Sequence, residues 1–152
     1  MSAYVSAAGD EAFGRAREQF GAMVSWLSGS ESGELGHGRL EQELEVRGRE
    51  VLRLLFQDHL DLRAAREIRR EDVMGVDGVG RVRVEKGHQR GLATVFGLVR
   101  VTRMAYRAVG VGNLYPADGV LNLPPEKHSH GLRRLAATRV GPRLVRAGRA
   151  GC

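Results

Sequence analysis

The chain has 152 residues, 42% of them hydrophobic, which predicts one domain with a modest core and leaves no room for a second catalytic domain of normal size. The formal net charge of +6 is unevenly distributed: residues 1–78 hold 10 Lys and Arg against 15 Asp and Glu, whereas residues 79–152 hold 14 against 3. Such a basic half attracts phosphate polymers, so nucleic acid is the expected partner.

Arginine carries most of the positive charge, because only Lys86 and Lys127 are lysines. Arginine makes bidentate contacts with phosphate and guanine, which suits DNA binding. A GC-rich coding sequence produces the same bias, so a merely solvated basic face is the alternative. The single cysteine, Cys152, allows no internal disulfide, and no signal peptide or membrane-length apolar run is present. We therefore expect a soluble, cytoplasmic protein.

The first predicted element is an amphipathic helix that Asp10 caps and that ends near Gly29. Trp26 lies beside its apolar stripe and is interpreted as core. The stripe has the three-and-four spacing of one helix face and consists of Phe13, Ala16, Phe20, Met23, Val24 and Leu27. The polar, glycine-rich stretch 28–38 then predicts a break.

A second, longer helix is predicted from an 11-residue period. Leu40, Val51 and Leu62 follow this period, as do Leu44 and Leu55. Further leucines lie on other sides of the helix, so a dimer contact or a downstream region is needed to cover them. The charged, glycine-punctuated stretch 70–78 is expected to end this helix.

The basic half is predicted to begin with strands. RVRVEK (81–86) alternates like a solvent-faced strand, and KGHQRG (86–91) is expected to break it. Segments 92–96 and 98–107 predict a β-hairpin in which Gly97 supplies the positive φ of the turn. In the second strand Val99 and Val101 share a face with Arg103, so we expect a bulge or an early strand end near Arg103.

After the hairpin, residues 113–122 are predicted to form a loop, and the Pro124–Pro125 pair excludes an ordinary helix. Ser129 is the predicted N-cap of a short basic helix, GLRRLAA. The fold class is therefore α+β: two amphipathic helices, a β-hairpin or small antiparallel sheet, and a short basic helix. We divide the chain into an acidic helical region (1–78), a basic region (79–138) and a disordered tail (139–152).

Candidate DNA contacts are the cations of the hairpin and the basic helix. His128 and Ser129, with the amides at the helix start, are a second way to meet a phosphate, although a plain helix cap explains them equally well. Tyr106 and Tyr115 have ring faces that suit base stacking, but packing is the commoner role. The candidate contacts are Arg100, Arg103, Arg107, Lys127, His128, Arg133 and Arg134, with Arg90 as a secondary candidate.

Two groups superficially offer metal ligands. Asp58 and Asp61 flank His59, but no third carboxylate element accompanies them, so a solvated helix face is the favoured interpretation. His128 and His130 have no thiol partner nearby, which argues against zinc. We therefore expect no catalytic residue, no metal and no cofactor.

Three blocks of the chain closely resemble the N-terminal region of ISKra-family insertion-sequence transposases. The blocks are FQDHLDLRA (56–64), GHQRGLATVFGLVRVTRMAYR (87–107) and LYPADGVLNLPPEKHSHGLRRLAA (114–137), and the third is the most specific. The resemblance covers most of residues 11–137. It implies that this region binds the terminal inverted repeats of the element and precedes a carboxylate-triad, two-metal catalytic domain that cleaves and joins strands.

The last residues depart from this pattern. Family members continue into a long acidic helical segment, whereas TRVGPRLVRAGRAGC (138–152) stands here, as a shifted frame of GC-rich DNA would encode. We therefore expect a truncated or frameshifted N-terminal fragment that binds DNA, with a homodimer as one assembly, and without catalysis of its own. The alternatives are an interaction module without independent DNA binding and a decayed fragment.

Overall fold

A computed structural model describes residues 11–140, so Asp10 and residues 141–152 of the predicted tail lie outside the described residues. The described part has an α+β fold, in which helices come first and an antiparallel hairpin follows. This is the predicted class. The elements in chain order are α1 (Gly14–Leu27), α2 (Ser30–Gly33), α3 (His37–Arg66), β1 (Arg83–Thr94), β2 (Gly97–Arg107), α4 (Pro116–Val120) and α5 (His130–Val140).

Helix α1 buries less of its apolar stripe than the pattern indicates. Phe13 occupies the N-cap position, with no side-chain hydrogen bond to the helix. Ala16 is buried beside α3, but Phe20 is 58% exposed and Val24 is exposed too. Among the described elements α3 is the main neighbour of α1 and covers one side of it, which leaves part of the stripe exposed to solvent.

The glycine-rich break contains one helical turn, α2, which closes the end of α1. The Ser32 hydroxyl oxygen lies 2.8 Å from the Trp26 carbonyl oxygen and 3.0 Å from that of Leu27. Trp26 is half-buried, because the guanidinium carbon of Arg47 lies 3.9 Å above the centroid of its ring. A cation–π contact, rather than the predicted apolar core, holds this ring.

Helix α3 is the predicted long helix and has 30 residues. It ends at Arg66, before the predicted stretch. Glu67 adopts extended geometry, and its carboxylate accepts a hydrogen bond from the Met104 amide at 2.9 Å. A contact with the distant strand β2 therefore accompanies the end of this helix, and no local pattern encodes it.

The hairpin forms as predicted, but its turn begins at Val95, inside the predicted strand 92–96. Val95 and Phe96 form the loop between Thr94 and Gly97, and Gly97 has a φ of +124°. The Thr94 hydroxyl donates to the Gly97 carbonyl at 2.7 Å and accepts from the Phe96 amide at 3.2 Å. The predicted positive φ at Gly97 is confirmed.

The expected break at KGHQRG is wrong, because β1 continues through it by means of a β-bulge. Glu85 pairs with Ala105 and His88 pairs with Arg103, so two residues of β1 stand opposite Met104. Gly87, with a φ of +78°, absorbs the extra residue. The irregularity expected near Arg103 thus exists, but it lies in the partner strand.

The core forms where α3 crosses the hairpin. Leu60 of α3 packs with Leu92 of β1 and with Val99 and Val101 of β2, and all four are buried. Phe56, Leu121 and Leu123 pack against this group. Because the core is small, hydrogen bonds and ion pairs around it also hold the helices against the hairpin.

The segment after the hairpin contains more helix than predicted. The predicted loop 113–122 includes the helical turn α4, and its start pairs with β2 through Tyr106 and Leu114, whose amides and carbonyls bond reciprocally at 2.9 Å. Helix α5 extends to Val140, two residues into the predicted tail. No helix of residues 11–140 combines the length and apolar character needed to cross a membrane.

Candidate nucleic-acid interface

Residues 127–129 run beside β1 and place the start of α5 near the hairpin turn. The Ala93 amide donates to the Lys127 carbonyl at 2.7 Å, and the Ser129 amide donates to the Ala93 carbonyl at 2.8 Å. The Ser129 hydroxyl accepts from the Leu132 amide at 3.1 Å, which confirms the predicted cap. The exposed side chains of Lys127 and His128 are thereby carried on a fixed backbone.

Four of the predicted contact residues lie together here, and we call them the turn-end cluster: Lys127, His128, Arg133 and Arg134. The Arg133 guanidinium lies 3.2 Å from the Glu126 carboxylate, and both side chains are about half exposed. An ion pair this exposed contributes about 0–1 kcal/mol, so a phosphate can replace Glu126 at little cost. Lys127 and Arg134 form no ion pair with any residue in 11–140.

Arg100 lies on the hairpin as an exposed cation with a well-fixed backbone. Its amide donates to the Gln57 side chain at 2.8 Å, and its carbonyl accepts from the same side chain at 2.9 Å. The side chain lines a shallow groove of about 320 Å³ beside Arg15 and Arg53. Within the described part of the chain it has no acidic partner.

Arg103 does not belong to this surface, although the sequence pattern predicted it as a DNA contact. It is 7% exposed, and its Nε donates to Asp118 at 2.9 Å. The guanidinium carbon also lies 4.0 Å from the centroid of the Tyr115 ring. This guanidinium faces inward, because Arg103 shares the strand face of Val99 and Val101 and finds a carboxylate in α4. We therefore exclude Arg103 from the proposed interface.

The secondary candidate Arg90 has a structural role as well. Its Nη2 donates to the carbonyls of Pro124 and Glu126, the latter at 2.6 Å, and its Nη1 lies 3.5 Å from Asp118. These bonds hold the 124–126 segment against β1. The two tyrosines considered for base stacking are also engaged: Tyr106 is buried and accepts from the Arg70 amide at 2.7 Å, and the Tyr115 ring lies under Arg103.

Arg107 lies at the opposite, open end of the hairpin, away from the turn-end cluster. Ten residues separate it from Gly97, which is about 33 Å at roughly 3.3 Å per residue of strand. Its Nη1 lies 2.8 Å from Glu85, and both side chains are about half exposed. The structure therefore separates the predicted contact residues into two groups instead of one patch.

Sequence reasoning missed two arginines beside Arg107. Arg69 and Arg83 line the same groove, which has a volume of about 680 Å³. Arg83 and Arg107 are direct partners across the hairpin. Only the register of the strands reveals this, and the register depends on the bulge at Gly87. The alternation in RVRVEK is the one local signal that points to Arg83, and it does not distinguish Arg83 from Arg81.

Arg81, in contrast, is buried in an ion pair. It forms two short bonds to the Asp77 carboxylate, at 2.6 and 2.8 Å, and donates to the Val79 carbonyl at 2.6 Å. The hydrogen bond from Arg81 is the main reason that the pKa of Asp77 falls to about 2, and the Val79 amide adds to the effect. This pair closes the loop that leads into β1.

Asp58 and Asp61 are not a solvated pair, so the favoured interpretation of them is wrong for Asp58. Asp58 is 2% exposed and accepts from Arg15 Nε at 2.9 Å and from the Ala16 amide at 3.4 Å. The hydrogen bond to Asp58 raises the pKa of Arg15, and Asp61 contributes less. The two carboxylates attach the start of α1 to α3.

The histidines of the α5 start have local partners or face solvent. His130 Nε2 lies 3.1 Å from the Asn122 carbonyl oxygen, while His128 is exposed. Across residues 11–140, no group of three or more His, Cys, Asp or Glu side chains is placed to hold a metal ion.

Comparison of this chain with protein-family models, with curated proteins and with solved structures finds no match.

Proposed function

We propose that this chain is a DNA-binding region of an ISKra-type transposase, which acts in the cytoplasm and contacts the terminal inverted repeats of its element without cleaving strands itself. The observation that carries the proposal is a set of exposed cations without carboxylate partners on the hairpin and at the start of α5. Within the described residues these are Arg83, Lys86, Arg100, Lys127 and Arg134.

The charge around these cations supports a polyanionic partner. Residues 79–152 contain 14 Lys and Arg and only 3 Asp and Glu, a difference of +11. Two of the three acids, Glu85 and Glu126, form exposed ion pairs with Arg107 and Arg133. Phosphate oxygens offer these arginines equivalent partners. Each arginine that binds a phosphate also releases counterions from the DNA, which favours binding.

The backbone that carries the cations is held in place, which favours a definite orientation on DNA. Gln57 fixes Arg100 to α3, and Ala93 fixes the residues before α5 to β1. Contacts to phosphates determine position on a duplex, while base-edge contacts determine sequence preference. Binding with orientation is thus the function that this surface supports best.

Fluorescence anisotropy with a labelled duplex of about 20 base pairs tests the proposal. If five cations contact phosphates, the logarithm of the affinity falls with the logarithm of the salt concentration at a slope of about −4.5. Duplexes with and without the terminal repeat sequence measure specificity. An absence of binding at low salt, or binding that does not weaken as salt rises, would contradict the proposal.

The absence of strand chemistry is tested separately. Supercoiled plasmid carrying the terminal repeats, incubated with the chain and Mg²⁺ or Mn²⁺, is expected to stay intact. Nicked or linear products that depend on the divalent ion would overturn this part of the proposal, because two-metal phosphoryl transfer needs carboxylates that converge on the ions.

Exposed apolar residues on the helices favour a second candidate function, an interaction module that assembles the protein without binding DNA. Phe20, Val24 and Leu27 are exposed on α1, and Val46 and Leu52 on α3. Light scattering distinguishes the candidates: a stable dimer that ignores duplex DNA at low salt favours assembly, whereas a monomer that binds DNA argues against it.

A further inference from the structure

The open end of the hairpin concentrates positive charge in a groove. The walls of this groove of about 680 Å³ are the ends of both strands, the turn that follows β2, and Arg69 from the segment after α3. Arg69, Arg83 and Arg107 are the cations that line it, and Glu85 is the acid that lines it. Three positive charges against one negative charge leave the groove with an excess of +2.

Register places two of these cations directly against each other. Arg83 and Arg107 are cross-strand partners, so their Cβ atoms are about 5 Å apart, and like charges at that position destabilise a hairpin. On its outer side the end of β2 bonds to Leu114 through Tyr106, and no third strand extends the two-stranded sheet within the described residues. An anion between Arg83 and Arg107 would offset their repulsion. Such an anion would explain why two arginines face each other at an exposed strand end.

The one carboxylate in the groove does not neutralise the pair. Glu85 accepts from Arg107 at 2.8 Å and also bonds His88 at 2.7 Å, and the His88 bond, followed by the Arg107 bond, lowers the pKa of Glu85. Arg83 forms no ion pair with a described residue. Arg69 donates to the Val82 carbonyl at 3.2 Å, which holds it in the wall of the groove.

We propose that this groove binds a phosphate group, with Arg83 as its main ligand and with Arg69 and Arg107 on either side. Planar guanidinium groups bind phosphate oxygens in pairs, and three of them match the several acceptor oxygens of one phosphate better than they match a single carboxylate. Assigning that phosphate to a DNA backbone rests on the proposed function. The phosphate site itself stands on the groove alone.

The first test titrates inorganic phosphate into the full chain at constant ionic strength, with chloride as the balancing anion, and follows the amide resonances. Saturable shifts are expected for residues 83–85 and 107–111. Arg83→Gln is expected to weaken phosphate binding about tenfold, since it removes a charge-assisted bidentate contact. Glu85→Gln removes the competing acid and is expected to tighten binding.

Arg49→Gln on α3 is the matched control, because it makes the same change of charge outside this groove and outside the proposed DNA interface. Phosphate binding by this variant is expected to equal that of the wild type. No saturable shift, or an equal loss in Arg83→Gln and Arg49→Gln, would overturn the site and show a diffuse charge effect. Circular dichroism of both variants confirms that the hairpin stays folded.

Duplex DNA identifies the source of the phosphate. A duplex affinity that falls in Arg83→Gln, alongside the loss of inorganic phosphate binding, assigns the groove to the DNA backbone. Wild-type duplex affinity in a variant that no longer binds inorganic phosphate would overturn that assignment and leave a site for free phosphate. A wild-type chain that binds phosphate but no duplex would contradict the proposed function and not the site.

Discussion

Four arginines of α3 and two arginines of the hairpin differ in whether a carboxylate lies within reach. Between Arg39 and Arg53, each arginine of α3 pairs with a glutamate three or four residues away on the same helix. The pairs are Arg39–Glu43, Arg47–Glu43, Arg49–Glu45 and Arg53–Glu50, at 2.7–3.5 Å. On the hairpin, Arg83 and Arg100 have no acidic partner among the described residues. The same residue type thus stabilises a helix in one region and leaves unneutralised charge in the other.

A second contrast lies within one strand. Arg100 and Arg103 are three residues apart in β2, so they point to opposite faces. Arg100 points to solvent, whereas Arg103 is buried against Asp118 and Tyr115. Exposure and pairing, and not residue type, separate the arginines that hold the fold from those that we propose as ligand contacts.

The largest expected effect comes from breaking the buried pair. Arg103→Gln leaves Asp118 partly buried without its main cation, and loss of one partner of a buried pair typically costs about 3–5 kcal/mol. We expect the free energy of unfolding in urea, followed by circular dichroism, to fall by about 3 kcal/mol or more. Duplex affinity per folded molecule should not change. A variant as stable as the wild type would erase the distinction between Arg103 and Arg100.

The attachment of α1 to α3 is the next largest effect. Asp58→Asn replaces the buried carboxylate that accepts from the charged Arg15 side chain with a neutral amide, and hydrogen bonds to charged groups contribute about 1.5–3 kcal/mol. Urea unfolding should show a loss in this range, and hydrogen exchange should become faster in α1.

Asp61→Asn is the matched control for this pair. The side chain of Asp61 is 48% exposed, so its bond to Arg15 is expected to contribute less than about 1 kcal/mol. Equal losses in the two variants would mean that burial does not distinguish these carboxylates.

An exposed hairpin arginine should affect DNA binding and not stability. Arg100→Gln is expected to change the free energy of unfolding by less than about 0.5 kcal/mol. It should make the salt slope of duplex binding about 0.9 less steep, as expected for one phosphate contact. Arg49→Gln on α3 changes the net charge equally and should leave the slope unaltered. A similar change in both variants would show that net charge alone governs binding.

The smallest effect concerns acid stability near β1. The folded pKa of Asp77, about 2, lies below its ordinary value of 3.8, because the carboxylate accepts hydrogen bonds from Arg81 and Val79. A lowered carboxyl pKa stabilises the fold above the ordinary value, and that stabilisation is lost as pH falls toward 2. Asp77→Asn should therefore lower the urea midpoint at pH 6 and approach the wild type near pH 2.5. A difference between the two chains that is independent of pH would contradict this role of the carboxylate.

Local patterns in the sequence predicted the elements that depend on neighbouring residues. The 11-residue period of Leu40, Val51 and Leu62 predicted α3, Gly97 predicted the hairpin turn, and Ser129 predicted the cap of α5. Each of these signals depends on residues within one helix, one helix start or one hairpin loop, so no contact between distant segments is needed to recognise it.

Only the tertiary structure decided which charged residues are neutralised. Arg103 meets Asp118 across 15 residues, Arg15 meets Asp58 across 43, and Arg83 faces Arg107 only because Gly87 accommodates a bulge. A sequence determines the number and order of charges, and through them the basic character of residues 79–152. Whether one arginine lies against a carboxylate or faces solvent depends on how distant segments pack, because that packing sets both the burial and the partner of the charge.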